Sequence, residues 1–486
     1  SLCTAVTLNE MGLDSQTVTA GLLHDVPDDT KVTLEEIEKE FGEEIAFLVN
    51  GVSKLGHLRL PKENVHILPV ESRKEKPIDP DVENLRKMFF SMAEDLRVIF
   101  IKLADRLHNM ETLNALPPDR RQRIALETLE IYAPIAERLG MGEMKAKLED
   151  LAFPYVYPKE YEWLLNEVKE KYEQRVAYLQ SFIPKIRQVL EKEKIEFKEI
   201  NWRAKHYWSL YKKLLRYDMN IDKIYDLIAI RIIVPTIELC YKTLGVIHKY
   251  WRPLPEKIQD FIALPKPNGY QGLHTTCFCD EGKIIEFQIK TPEMHTEAEY
   301  GICAHWAYKE GINLLREGRK FNWVKQLRDW QKEISASEEF WEGLKIDFFR
   351  DRIFVFTPKG DVIDLPEGAT PVDFAYAVHT EIGNHCAGAK VNGKLVSLDT
   401  QLTNGDVVEI ITEKNKKPSR DWLEFVRTNN ARSKIKEWLQ KESKPEHIKR
   451  GAELLNRWFL QLGGISLSQL PVEKKKKLLT VTGFKE

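Results

Sequence analysis

Two segments in the middle of the chain have the hydrophobic pattern of β-strands. Asp226 precedes the apolar run LIAIRIIV, which has the length and composition of a buried strand. In IIEFQIK, residues Ile284–Lys290, polar and apolar residues alternate, so that Glu286, Gln288 and Lys290 share one face. The pattern predicts strands with an apolar face toward a core and a polar face toward a cleft.

Two segments nearer the amino terminus have the pattern of helices. One apolar stretch ends at His24 and Asp25, and the later segment LRVIFIKLADRLHNM is long and largely apolar. The later segment predicts a buried helix with Asp105 and Asn109, four residues apart, on one face. Because a buried carboxylate is costly without a positive partner, Asp105 needs either a metal ion or a basic group such as Lys102.

From Arg352 onward the pattern changes to short strands separated by turns. RIFVFT, the turn PKG and DVIDL come first, then a helix start with a capping box at Thr370. Asn392-Gly393 is a hairpin signal, and GDVVEIIT predicts a closing strand. This order predicts a small β-grasp domain, and the residues beyond Glu413 have helical periodicity.

The turn-rich segment ALPKPNGYQGLH, residues 263–274, lies between the two central strands and carries a lysine, two amides, an aromatic ring and a histidine. If the strands are neighbours, Asp226 and Glu286 converge on Mg²⁺, which usually takes one or two protein carboxylates plus substrate phosphates. Singly, such acids are most often solvated or ion-paired, and a PNG sequence is usually only a turn. The ordered set is far more specific than its parts.

Length and composition limit the classes of protein that fit. A chain of 486 residues has room for about three domains. A net charge of −2 with 30% charged residues argues against a wholly basic nucleic-acid-binding protein. No apolar run approaches the length of a membrane span. The six cysteines show neither a CxxC pair nor zinc-finger spacing, which predicts reduced thiols and a cytoplasmic location.

Five ordered segments resemble the long RelA/SpoT family, whose members make and break the alarmone (p)ppGpp. The segments are LLHDVPDDT, KLADRLHNM, YDLIAIR, ALPKPNGYQGLHTT and EFQIKTPEMHTEAEYGICAHWAYK. The resemblance implies a multidomain fold: an all-α HD phosphohydrolase domain (1–155), a helical linker (156–198), an α/β nucleotidyltransferase-like synthetase domain (199–335), a small β-grasp TGS domain (350–413) and a helical segment (414–486).

For the middle domain the resemblance implies a pyrophosphokinase that transfers the β,γ-diphosphate of ATP to the 3′ hydroxyl of GDP or GTP. Asp226 and Glu286 would hold Mg²⁺, Glu286 would also activate the hydroxyl, and Tyr270 would stack on guanine. The remaining binding residues would be Lys266, Asn268, Gln271 and His274 for the acceptor, and Arg203, Lys205 and Lys213 for the ATP phosphates.

This domain departs from the family pattern in three places. Trp202 stands where the family has glycine, and Lys290 stands where it has arginine, which keeps the charge but loses the planar fork. Residues 257–260, KIQD, replace the Arg-x-Lys-Asp of members that both make and degrade the alarmone. Synthetase-dominant members have Glu-x-Asp-Asp there, so the positive Lys257 favours the bifunctional class.

For the amino-terminal domain the resemblance implies an Mn²⁺-dependent hydrolase that removes the 3′ diphosphate from (p)ppGpp. The residues implied are His24, Asp25 and Asp105 as Mn²⁺ ligands, Asp28 and Asp29 to activate water, and Asn109 to hold the nucleotide. The family's acidic pair is normally Glu-Asp, so Asp28 is one methylene shorter. The family's first metal histidine has no counterpart here, and because the chain begins with Ser1 we expect an amino-terminal truncation.

The β-grasp segment resembles the TGS domain, which in long family members contacts the tRNA acceptor end on stalled ribosomes. His379 is the residue expected to make that contact. The family's later zinc-finger and ACT-like domains have no counterpart in the sequence, so we expect either a short natural form or truncation at both ends.

Three functions fit these observations. The first is a bifunctional alarmone synthetase and hydrolase, which requires both sites. The second is a synthetase with a degenerate, inactive HD domain, which Asp28, Pro27 and the absent histidine favour. The third is a catalytically weak regulator that binds tRNA or the ribosome through the TGS domain and the trailing helices.

Overall fold

A computed structural model of the protein describes residues 1–54, 95–221, 224, 227–266, 268–306 and 352–463. The chain divides into two units, Ser1–Trp341 and Glu342–Glu486. Among the described residues, no helix is both long enough and apolar enough to cross a membrane.

The amino-terminal domain is built from helices, and its described residues contain no strand. The helices are α1 (Leu2–Glu10), α2 (Ser15–Leu23), α3 (Val26–Asp29), α4 (Leu34–Phe41), α5 (Glu43–Lys54), α6 (Arg97–Glu111), α7 (Pro118–Glu127), α8 (Ala133–Arg138) and α9 (Gly142–Val156). Helix α6 is surrounded by α1, α2, α5 and α9 and buries most of its side chains. The predicted buried helix is confirmed.

Helix α10 (Pro158–Lys192) runs through most of the segment predicted as a helical linker. Its Phe182, Ile186 and Leu190 are buried in one cluster with Ile230 and Phe287 of the following sheet. The helix is therefore part of the core of the second domain as well as its connection to the first.

The second domain contains a five-stranded sheet in the order β1-β2-β5-β4-β3. Its strands are β1 (Glu199–Ala204), β2 (Ile228–Ile233), β3 (Arg252–Asp260), β4 (Leu273–Phe278) and β5 (Ile284–Lys290). Its helices are α11 (Tyr207–Arg216), α12 (Ile237–Tyr250), α13 (Pro292–Tyr300) and α14 (Cys303–Trp306). The two strands predicted from their hydrophobic pattern, β2 and β5, are parallel neighbours, and Ala229 is paired with Glu286.

The sheet has one apolar and one polar face, as the alternation in β5 predicts. Ile285, Phe287 and Ile289 are buried, and helices α10 and α12 pack on their side of the sheet. Glu286 and Gln288 on the opposite face are half-buried. Lys290 shares that polar face but is only 1% exposed, a burial that the alternation alone does not predict.

The second unit contains two small sheets. A hairpin pairs β6 (Arg352–Phe356) with β7 (Val362–Pro366), and a three-stranded sheet has the order β10-β8-β9. The remaining elements are α15 (Pro371–Val378), α16 (Thr380–Asn384), β8 (Cys386–Val391), β9 (Lys394–Val396), β10 (Val408–Thr412), α17 (Trp422–Phe425) and α18 (Asn429–Gly463). The β-grasp order is confirmed, and the described part of the trailing segment, which ends at residue 463, contains helices.

Local sequence signals explain the turns and helix starts of this unit. Asn392 and Gly393 both have positive φ, 51° and 79°, as a tight hairpin between β8 and β9 requires. The capping box at the start of α15 is formed by Thr370 and Asp373. Asp373 is fully buried and also accepts hydrogen bonds from the backbone N–H groups of Arg427 and Thr428, which ties the trailing helices to the β-grasp domain.

Candidate active sites

The polar face of the five-stranded sheet aligns functional side chains in rows. Arg231 of β2 is paired with Gln288 of β5, and Gln288 is paired with His274 of β4. In the next row, Arg203 of β1 is paired with Ala229 and Ala229 with Glu286. With strands about 4.8 Å apart, Arg203 and Glu286 are separated by about 10 Å across the face.

Three side chains on this face form a hydrogen-bonded series. The hydroxyl of Tyr270 lies 2.6 Å from Nε2 of His274, and Nδ1 of His274 lies 3.1 Å from Oε1 of Glu286. A neutral imidazole satisfies both contacts when Tyr270 donates to Nε2 and the Nδ1–H donates to Glu286. Burial lowers the pKa of His274 despite the nearby Glu286, and burial also raises the pKa of Tyr270, so both groups remain neutral.

Glu286 is fixed from a second side by its own strand. Nε2 of Gln288 donates to Oε1 of Glu286 at 2.9 Å. The carboxylate side chain is 15% exposed, so it is partly desolvated while still open to the cleft. Asp226, predicted as the second magnesium ligand, lies outside the described residues; β2 begins two positions later, at Ile228.

The segment between β3 and β4 folds as a closed turn. The N–H of Lys266 donates to the carbonyl of Tyr270, and Gly269, at φ 80°, donates back to the carbonyl of Lys266. The side-chain oxygen of Asn268 accepts from the N–H of Tyr270, and Gln271 donates to the carbonyl of Ile262. Asn268 and Gln271, predicted to line the acceptor site, therefore also stabilise the loop that carries Tyr270.

Cationic side chains surround this loop and Glu286. Lys266 places Nζ 4.5 Å from the ring centroid of Phe261 and 5.1 Å from that of Tyr270. Arg203 lies on β1, Lys205 directly follows that strand, and Lys213 is on α11. Arg203 and Lys205 thus lie at the sheet edge formed by β1, and Lys213 lies on the helix that follows.

A buried cluster beneath the site was missed by sequence reasoning. Arg231 is 8% exposed, and its guanidinium lies 3.4 Å from both Nε2 of His295 and Oε1 of Glu299 on α13. Its Nε has no hydrogen-bond partner in the described part of the chain. A single arginine inside the otherwise apolar strand β2 was the available signal, because a buried charge requires a specific partner.

The amino-terminal domain brings together three of its predicted residues. Nε2 of His24, which is buried, lies 3.0 Å from Oδ1 of Asp25 and 3.5 Å from Oδ1 of Asp105. Neither contact has hydrogen-bond geometry. Nδ1 of the same ring lies 2.8 Å from the carbonyl oxygen of Gly21 and donates to it. A histidine anchored through one nitrogen, with the other facing carboxylates, has the arrangement of a metal ligand.

The pKa of His24 is set by its burial and by two neighbouring carboxylates. Burial opposes protonation of the ring, but the carboxylates of Asp105 and Asp25 outweigh it and raise the pKa of His24 to about 9. Asp105 also accepts from Nζ of Lys102 at 2.8 Å and from Nδ2 of Asn109 at 3.0 Å. Lys102 is therefore the basic partner that the sequence suggested for Asp105, and His24 of the HD dipeptide lies close to the same carboxylate.

His24, Asp25 and Asp105 carry suitable donor atoms for a divalent cation, but they do not form a complete coordination site in this structure. Imidazole nitrogen and carboxylate oxygens are suitable donors for a transition-metal ion. Within the described ranges, no three His, Cys, Asp or Glu side chains already have the spacing of a metal site. Asp28 and Asp29 are exposed on the short helix α3, where Asp28 accepts from the hydroxyl of Ser53 at 2.8 Å.

The two domains of the first unit approach each other closely beside residues 263–272, the acceptor loop, which carries residues predicted to bind the acceptor nucleotide. The N–H of Ile302 donates to the carbonyl of Leu139 at 3.0 Å. A Cβ built on Gly301 would lie 2.1 Å from that carbonyl oxygen, and one built on Gly140 would lie 2.5 Å from the carbonyl oxygen of Asn268. Glycine is therefore required on both sides of this junction, and the acceptor loop rests against the helical domain.

In the second unit, His379 lies between α15 and α16. It is exposed, and its Nδ1 accepts from the N–H of Glu381 at 3.2 Å, so it caps the start of α16. The contact gives His379 a structural role alongside the RNA contact predicted for it.

Comparisons with known proteins match each domain in turn. Family models match an HD domain at residues 1–142, a region found in RelA/SpoT proteins at residues 202–313 and a TGS domain at residues 353–412. Among solved structures, the small alarmone synthetase 2 of Bacillus subtilis is 23% identical and covers 34% of this chain and 98% of its own, with a TM-score of 0.25.

Curated relatives align along almost the whole chain. The guanosine-3′,5′-bis(diphosphate) 3′-pyrophosphohydrolase of Aquifex aeolicus is 47% identical over 460 residues, 94% of this chain and 63% of the relative. The bifunctional (p)ppGpp synthase/hydrolase RelA of Mycobacterium tuberculosis is 44% identical over 479 residues, 96% of this chain and 62% of the relative. The chain thus spans about three fifths of the length of these relatives. The HD, RelA/SpoT and TGS regions match in one order, and the chain is similar to members of the RelA/SpoT family along almost its whole length.

Proposed function

We propose that this chain carries both catalytic centres of a (p)ppGpp synthetase and hydrolase. The observation that supports synthesis most directly is the Tyr270–His274–Glu286 series, which holds one carboxylate beside a cationic cleft. The relatives named as a pyrophosphohydrolase and as a bifunctional synthase/hydrolase support the pairing of two activities.

In the proposed synthesis, the acceptor's 3′ hydroxyl oxygen attacks the β-phosphorus of ATP. The bond between that phosphorus and the α,β-bridging oxygen breaks, AMP leaves, and the hydroxyl proton passes to Glu286. Arg203, Lys205 and Lys213 hold the phosphates in line, which is most of what phosphoryl-group transfer requires. Mg²⁺, when bound by Glu286 and Asp226, would neutralise charge on the phosphates.

The acceptor nucleotide is proposed to bind at the loop. Tyr270 stacks on guanine, Lys266 faces the acceptor phosphates, and Asn268 and Gln271 keep the loop in the shape that presents the ring. His274 keeps Glu286 oriented through its Nδ1–H, so that the other carboxylate oxygen is directed at the hydroxyl.

Synthesis is tested by a transfer assay with γ-labelled ATP, GDP or GTP, and Mg²⁺. We expect labelled ppGpp or pppGpp from the parent and almost none from Glu286→Gln. Glu293→Gln is the matched control, since Glu293 is an exposed acid at the start of α13. Equal product from all three proteins would refute the role of Glu286, and no product from the parent would refute synthesis.

In the proposed hydrolysis, His24, Asp25 and Asp105 hold Mn²⁺, and Asn109 positions Asp105 and contacts the nucleotide. The supporting observation is the buried Nε2 of His24, which faces two carboxylates without a hydrogen bond. Bound Mn²⁺ would supply hydroxide near neutral pH. Asp28 and Asp29 are proposed to orient the water, and the shorter reach of Asp28 requires α3 to shift toward the metal.

The competing possibility, a synthetase with an inactive HD domain, is favoured by the ion pair that Asp105 already makes with Lys102. Release of diphosphate from ppGpp with Mn²⁺ decides between them. Release that Asp105→Asn abolishes and the exposed-acid control Asp119→Asn retains would establish hydrolysis. No release from the parent chain would establish the alternative.

We further propose that the TGS domain contacts the tRNA acceptor end through His379. The family match at residues 353–412 and the exposed position of His379 support this proposal. A gel-shift titration with deacylated tRNA should show binding that weakens with salt and in His379→Ala. Absence of binding at low salt would refute it.

A further inference from the structure

Lys290 is a buried cation that the proposed chemistry leaves without a role. It ends β5 and is only 1% exposed, although lysine is rarely buried without a charged partner. Within the described part of the chain, its ammonium makes neither an ion pair nor a hydrogen bond. Its Nζ lies instead over the ring of Tyr270, 4.3 Å from the centroid. This is the geometry of a cation–π contact, which is strongest when the pair is desolvated.

The acceptor loop is shaped to admit this lysine. A Cβ at Gly272 would come within 3.1 Å of Cγ and 3.2 Å of Cε of Lys290, so glycine leaves the space that the lysine stem occupies. Gly272 also has φ 153°, outside the range that other residues favour. The loop and the lysine are therefore fitted to each other.

Tyr270 is held by several contacts around its ring. Its hydroxyl is bound by His274, and Phe261 meets it edge-on at 5.9 Å between centroids. Nζ of Lys290 lies over the ring at 4.3 Å from the centroid, nearer than Nζ of Lys266 at 5.1 Å. A cation on one face draws π-electron density toward itself, which makes the opposite face less negative. Such a face stacks better on an electron-rich purine.

We propose that Lys290 is a positioning residue for the acceptor nucleotide, holding and polarising Tyr270 so that the opposite face of the ring stacks on the base. This inference rests on the proposed synthesis and deepens it by assigning Lys290 to recognition of the acceptor. Lys290 acts through Tyr270, so it affects the acceptor KM and leaves the ATP KM and kcat near those of the parent.

The charge of Lys290 is tuned by its neighbours. Burial and the nearby Arg231 and Arg203 lower its pKa to about 7, while Glu299 acts in the opposite direction. The other titratable groups that face it or its partner ring are Lys266, Tyr270, His274 and His295. Lys290 is therefore charged at low pH and loses its proton as pH rises through about 7, and the cation–π contact is lost with it.

The first test compares Lys290→Met, Lys290→Arg and the parent in the transfer assay. Lys290→Met keeps the length of the side chain without charge, and we expect its acceptor KM to rise by up to about thirtyfold, the size of a desolvated cation–π contact. Lys290→Arg should restore it, and Lys283→Met, at an exposed position before β5, is the matched control. An unchanged acceptor KM in Lys290→Met would overturn the inference.

The pH profile gives a second readout that does not depend on the Met variant folding. The acceptor KM of the parent should increase as pH rises through about 7, whereas that of Lys290→Arg should stay level because arginine remains charged. Parallel profiles for the two proteins would contradict the proposal.

A double-substitution cycle with Tyr270→Leu tests whether Lys290 acts through the ring. If it does, Lys290→Met adds nothing to the acceptor KM of Tyr270→Leu; two independent, additive effects would contradict this. A parent that makes no product would refute the proposed synthesis itself, whereas an active parent with an indifferent Lys290→Met would refute only the role of Lys290.

Discussion

The centres around His24 and Glu286 both combine carboxylates with a histidine, but their charges are balanced in opposite ways. At His24, two carboxylates face one buried nitrogen that lacks a hydrogen bond. At Glu286, one carboxylate accepts from Gln288 and lies against His274, with Lys266 and other cations close by. The first centre places two carboxylates at one ring nitrogen and the second places one carboxylate beside lysine side chains, which fits a metal-dependent centre and a polyphosphate-binding centre.

The largest expected effect is the loss of one activity without the other when a single centre is altered. Glu286→Gln should lower synthesis by about a thousandfold, the middle of the range for loss of a general base, and leave hydrolysis of ppGpp unchanged. Asp105→Asn should have the reverse pattern. Rates of both reactions are measured for each variant, and a variant that abolishes both would show that the centres are not separate.

Breaking the ion pair at the His24 centre should affect stability next most strongly. Lys102→Met leaves Asp105 buried without its ammonium partner at 2.8 Å, which should cost about 3 kcal/mol of local stability. Hydrogen exchange of the α6 amides measures this cost, and saturating Mn²⁺ should recover part of it. The control is Lys147→Met, which breaks an exposed pair with Glu143 and should cost less than about 1 kcal/mol.

Metal binding should distinguish the two centres directly. Mn²⁺ at a hundred times its Kd should stabilise α6 by about 2.7 kcal/mol in the parent, again measured by hydrogen exchange. His24→Asn should remove this stabilisation, and Glu286→Gln should keep it. If α6 is protected equally in His24→Asn, the ion binds elsewhere and the comparison fails.

The smallest effect is expected from removing the hydroxyl of Tyr270, which begins the hydrogen-bonded series that ends at Glu286. Tyr270→Phe keeps the ring but leaves Nε2 of His274 without its donor, so synthesis should fall up to about tenfold. Hydrolysis should not change. Tyr250→Phe, which removes an exposed hydroxyl bonded to Glu193, is the control, and equal activity in both variants would mean that the series does not orient Glu286.

Periodicity predicted the elements of this protein well because it depends only on local positions. The alternation in β5, the apolar helix α6 and the Asn392-Gly393 hairpin are all present where their patterns indicated. Periodicity could not identify the partner of Asp105. Lys102 is three residues away on the same helix, whereas His24 is distant in sequence, and both contact Asp105 in the folded protein.

The burial of Lys290 and the partners of Arg231 could not be predicted from local sequence patterns either, because both depend on contacts between distant segments. Strand alternation places Lys290 on the polar face, but its burial depends on the loop that folds over it. The partners of Arg231 come from α13, a helix whose position relative to the sheet no short pattern states. The site residues drawn from the family resemblance remain predictions that the variants above test.

The close contact at Gly140 and Gly301, between the two domains of the first unit, limits the substitutions that the protein can accept. Because Gly301 and Gly140 leave no room for a side chain, each domain restricts the substitutions that the other can accept. Chimaeras that take the helical domain from one relative and the sheet domain from another should therefore fold only when glycine is kept at positions 140 and 301.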